Sequence, residues 1–83
     1  MGLFKSKAEK ELDKIILKLE MNMSNNYKDN AQANLRELEE ALDTFRESGD
    51  VKDAVIARYD SIIDTYKQKM KGYSHKDQKP YWT

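Results

Sequence analysis

Phe45-Arg46-Glu47-Ser48-Gly49-Asp50-Val51-Lys52-Asp53-Ala54-Val55 decides how this chain folds. A glycine just past an apolar-periodic run can take the left-handed conformation that closes a helix, and an Asp after it can cap the next one. Gly occurs elsewhere only at 2 and 72, and Pro only at 80, so Ser48-Gly49-Asp50 is the clearest boundary in 83 residues. The spacing on both sides is helical and not strand-like. Upstream, Tyr27, Ala31, Leu35, Leu38, Leu42 and Phe45 align over a helix of about 27–47. Downstream, Val51, Val55, Tyr59, Ile62, Ile63, Tyr66 and Met70 align over about 51–71, and Gly72 ends the run.

Further out, Ser6-x-x-Glu9 has capping-box spacing, in which hydroxyl and carboxylate each satisfy a free backbone N–H. It predicts a first helix of about 6–23, with Ala8, Leu12, Ile15, Ile16, Leu19 and Met23 on one face. The join to the second helix is rich in capping residues (Asn22-Met23-Ser24-Asn25-Asn26), and Asn26-x-x-Asp29 can start a helix. The apolar steps 19, 23, 27 and 31 nevertheless run through this join. One alternative is therefore a long helical hairpin, continuous from 6 to 47, that dimerises to cover its stripe. Three helices of nearly equal length close a core within one chain, and the favoured expectation is an all-α, small three-helix bundle over residues 1–72. Residues 73–83 carry no periodicity and are expected to form an extended basic, aromatic tail.

Formal charge is zero, but unevenly distributed. Residues 1–28 carry a net +2, residues 29–64 a net −6 and residues 65–83 a net +4. An acidic middle with basic ends favours self-association, or folding of the ends onto the centre. With no cysteine, disulfides and thiolate metal sites are excluded. No apolar run reaches signal-peptide or transmembrane length, so a cytoplasmic protein is expected.

Several residues stand apart from the core pattern. Leu17 and Met21 lie four apart on the first helix, well off its main stripe, with Lys7, Lys10, Lys14 and Lys18 alongside. Leu3 joins them if the helix extends backward. Lys10, Lys14, Leu17, Lys18 and Met21 are the candidate partner surface, apolar in the middle and basic at the rim. It suits an acidic protein partner, an anionic membrane, or the acidic residues Glu39, Glu40, Asp43 and Glu47 of a second copy. Tyr59, Tyr66 and Tyr73 recur every seven residues, which reads as a bundle seam with each hydroxyl at the rim. In the tail, Tyr73, Tyr81 and Trp82 are candidate contacts for nucleic acid, interleaved with Lys76 and Lys79. Net neutrality and the acidic middle weigh against that partner. Met1-Gly2-x-x-x-Ser6 fits the N-myristoylation pattern, although Ser6 already has work as a helix cap.

Catalysis is not expected. A nucleophilic site needs a nucleophile, a base and a group to orient the base, whereas here there is no Cys, a single His75 in the tail, and Ser mostly at caps. There is no Glu-x-x-His pair for a bridged metal and no Gly-rich phosphate loop, so neither metal nor cofactor is expected. Phe45, Gly49-Asp50, Ala54-Val55 and Ile62 loosely resemble the turn of a tetratricopeptide helix pair. The resemblance covers one turn, Leu42 stands where that pattern has Gly, and no family follows from it. The reading is a non-catalytic helical protein–protein interaction module (an adaptor, inhibitor or regulatory subunit), with membrane-surface binding and nucleic-acid binding as its rivals.

Overall fold

Ser6 and Glu9 form the predicted capping box. The Glu9 amide donates to Ser6 Oγ at 3.1 Å, and the Ser6 amide donates to the Glu9 carboxylate at 3.0 Å. From this start the chain, a computed structural model that describes residues 6–71, makes three helices. They are α1 (Lys7–Ser24), α2 (Lys28–Ser48) and α3 (Asp53–Lys69). No strand occurs among the described residues, and the bundle is all-α.

The α1–α2 join is a sharp stop. Asn26 is the one non-glycine among the described residues with positive φ, at 64°. The Tyr27 amide donates to the Asn22 carbonyl at 2.8 Å, and the Asn26 amide to the Met23 carbonyl at 3.0 Å. This is the Schellman arrangement, with Asn26 in the left-handed position that Asn tolerates better than most residues. Asn26 therefore closes α1 and does not open α2. Tyr27 stands at the N-cap of α2, with no side-chain capping bond. The continuous 6–47 helix is excluded, and geometry gives the reason. At about 100° per residue, the two buried stripes would face roughly 140° apart on one straight rod. They are Ala8/Leu12/Ile15/Leu19 on α1 and Ala31/Leu35/Leu38/Leu42 on α2. A chain reversal brings them face to face.

Gly49 reverses the chain a second time, with φ at 76° and its amide donating to the Phe45 carbonyl. The next cap differs from the sequence reading. Asp50 does not cap α3; its amide donates to Ser48 Oγ at 3.3 Å. Lys52 is the N-cap, without a side-chain bond, and α3 starts at Asp53. Val51, just before that cap, packs against the core together with Val55. It holds the N′ position, where an apolar side chain packed on the core helps to set the angle at which the chain enters the helix.

Leu12, Leu19, Leu38, Leu42 and Tyr59 are the largest fully buried side chains, and no polar or charged residue is buried among those described. Ile56, Ile63, Tyr66 and Met70 supply the α3 side of the core. Tyr27, expected on the core stripe, is 56% exposed because the chain turns at its position. The sequence pairs joining α1 to α3 show their direction. Tyr59 meets Asp13 and Tyr66 meets Glu20, each 46 residues apart, so the two helices run parallel with α2 antiparallel between them in sequence.

Candidate functional site: the outer face of α1

Each side of α1 has a different task. One edge meets α3 through acids. Tyr59 donates its hydroxyl to the Asp13 carboxylate at 2.6 Å, Tyr66 donates to Glu20, and Arg58 pairs with Glu9 at 3.2 Å. The Arg58 guanidinium also lies 5.1 Å from the centre of the Tyr59 ring. Burial, followed by the carboxylate bond, pushes the Tyr59 hydroxyl up to about 12, and the same two causes push Tyr66 to about 12. The opposite edge meets α2 through Lys18, which reaches the Glu37 carboxylate at 3.1 Å, and Asn22, which donates to Asn34 at 2.6 Å. Asn34 in turn donates to Glu37, so this edge is one connected polar chain.

Between these edges, facing away from the core, lies the stripe singled out by sequence. Lys10, Lys14, Leu17 and Met21 are spaced by four, three and four residues and are all exposed. Leu17 is 59% exposed and Met21 56%. They are therefore not packed on a neighbouring helix. Lys7, Lys10 and Lys14 make no ion pair with any described residue, whereas Glu9, Asp13 and Glu20 of the same helix are engaged with α3. The fold thereby engages Glu9, Asp13 and Glu20 of α1 with α3, while Lys7, Lys10 and Lys14 stay outward with exposed Glu11 among them. Lys18 departs from the expected group, because it belongs to the α2 edge. Leu3 and the tail residues Tyr73, Tyr81 and Trp82 lie outside the described residues.

Grooves among the described residues flank the helices. One, of about 640 Å³, has an apolar floor of Ala8, Ala41 and Phe45 at the open end of the α1–α2 seam. The small alanines create it, and nothing in the helical periodicity marked it. Another, of about 380 Å³, lies between α2 and α3 and is lined by Glu39, Asp43, Asp60 and Asp64 with Arg46 and Lys67. Its cations already hold three of its four acids. Arg46 pairs with Asp43 at 2.5 Å and with Asp60 at 3.0 Å, and Lys67 with Glu39 at 2.6 Å. Glu39 and Asp43, read from sequence as part of a surface for a second copy, are thus occupied within the chain. No group of His, Cys, Asp and Glu among the described residues is arranged to hold a metal ion. No helix among them is long and apolar enough to cross a membrane.

Among the described residues, fold and surface define a small all-α three-helix bundle with an exposed helix face that joins Leu17 and Met21 to Lys10 and Lys14. No protein-family model, curated protein or solved structure matches the chain.

Proposed function

We propose that this chain is a non-catalytic interaction module, of the adaptor, inhibitor or regulatory-subunit kind, which contacts a protein partner through the outer face of α1. One observation carries the reading. Leu17 and Met21 stay exposed in line with Lys10 and Lys14, which form no ion pair with any described residue, on a helix three of whose four acids engage α3 while Glu11 stays exposed. Large apolar side chains in water with a polar rim are features of contact surfaces, and exposing them does not help the bundle to fold. The setting proposed with this reading is the cytoplasm.

A photo-crosslinking amino acid at position 17, expressed in source cells, tests the proposal against the same probe at Ala57 on exposed α3 surface. Adducts with protein at 17 and none at 57 are expected, and Met21→Glu should remove them while leaving helicity intact. Equal labelling at both positions, or none at either, overturns the reading. Flotation of the purified chain with anionic vesicles, abolished by the same substitution, would replace the protein partner with a lipid surface.

A further inference from the structure

We infer that a second copy of this chain covers the outer face of α1, laying its α2 antiparallel along the stripe. This rests on the reading of that face as a contact surface. On α1, Lys7, Lys14 and Met21 recur every seven residues, two helical turns, and so share one line. On the outer side of α2, Ala33, Glu40 and Glu47 recur at the same interval and are likewise exposed. When the two lines run in opposite directions, Lys7 meets Glu47, Lys14 meets Glu40, and Met21 meets Ala33, whose short side chain leaves it room. The turn between them brings Leu17 beside exposed Arg36, whose aliphatic stem can cover an apolar neighbour.

The charges that would meet are available. Neither Lys7 and Lys14 nor Glu40 and Glu47 form an ion pair with any described residue, whereas the neighbouring acids Glu39 and Asp43 are held by Lys67 and Arg46. Packing α1 on its own copy offers no such match. In parallel it sets lysine against lysine, and in antiparallel it sets Leu17 against Lys10 and Lys14 and leaves Glu11 as the one exposed anion beside that line, against two on the outer line of α2. Every chain carries both lines, so the contact can form twice about a twofold axis and close as a dimer.

Sedimentation equilibrium of the chain from about 10 µM to about 1 mM reads the result directly. A monomer–dimer equilibrium is expected, weakened at least tenfold when salt is raised to about 1 M, where exposed charges are screened beyond about 3 Å. Lys7→Glu with Lys14→Glu, and separately Glu40→Lys with Glu47→Lys, should each be monomeric. Mixed one to one, the two variants should recover the dimer, since each then presents the other's complement. A mixture that stays monomeric overturns the pairing. If the wild-type chain is monomeric throughout while the position-17 probe still captures a different protein, self-pairing falls and the contact face stands. If neither occurs, both fall.

Discussion

The hydroxyl of Tyr59 donates to the carboxylate of Asp13 across 2.6 Å, although 46 residues separate them. That bond, repeated two turns later by Tyr66 and Glu20, locks the register of α1 against α3. The tyrosine rings are buried, while their hydroxyls reach acids on the edge of α1. Ring burial and a charge-assisted hydrogen bond are thus combined in one side chain, a common use of tyrosine at the margin of a core.

Alkaline titration should expose this pair. Both phenols are held up to about 12 against an ordinary value of 10.0, so the folded chain keeps protons that an unfolded chain would release. The stabilisation is complete below pH 10 and is lost as pH rises from 10 through 12. Tyrosinate absorbance in the wild type should show a late component near pH 12 that coincides with loss of helical circular dichroism. Tyr59→Phe combined with Tyr66→Phe should remove the late component.

Gly49→Ala should cost about 1–2 kcal/mol, entirely from backbone conformation. A Cβ at Gly49 would meet nothing within 4 Å, so no steric clash contributes, but φ stays at 76°. At the other turn, Asn26→Ala should cost about 1 kcal/mol and Asn26→Gly should be close to neutral, since Gly adopts positive φ without strain. Urea midpoints of the three variants, at an unchanged m-value, check the ranking.

Leu38→Ala should unfold much of the population. The side chain is fully buried between the helices, and such truncations cost about 2–5 kcal/mol. A bundle of this size rarely has more than about 3–5 kcal/mol in total. Leu17→Ala, on the outer face, should change stability by no more than about 0.5 kcal/mol. Thermal melts followed at 222 nm separate the two outcomes.

Arg46→Ala should weaken the bundle by about 0.5–1 kcal/mol, with most of the loss vanishing in high salt. The guanidinium bridges Asp43 on its own helix and Asp60 on α3, but all three groups are exposed. A double-mutant cycle of Arg46 and Asp60 at low and high salt measures the interhelical share.

Much of this architecture is legible in the sequence, because three helices and the Gly49 reversal follow from local spacing. So do most buried positions, such as Leu12, Leu19, Leu38 and Leu42, since a helical stripe repeats within a few residues. The misread positions were those where two local rules compete. Asn26 can open one helix or close another, and the left-handed closing role won because the core stripes require a reversal there. Asp50 yielded its expected cap because α3 starts later, at Asp53, with Val51 partly buried against the core just before it. The partners of Tyr59 and Tyr66 could not be read at all, because a contact between residues 46 apart leaves no short-range trace. The outward stripe of Leu17 and Met21 was visible as a break in phase. That its lysines lack internal partners depends on long-range pairings, which only the folded chain displays.

The odd number of helices has a mechanical corollary. With α1 and α3 parallel, Ser6 and Lys71 sit at opposite poles of a rod about 27 Å long, the span of an 18-residue helix. The chain therefore enters the described bundle at one pole and leaves it at the other. Two probes attached at Ser6 and Lys71 themselves would start about 27 Å apart, whereas probes at Ser6 and Asp53 would start at the same pole.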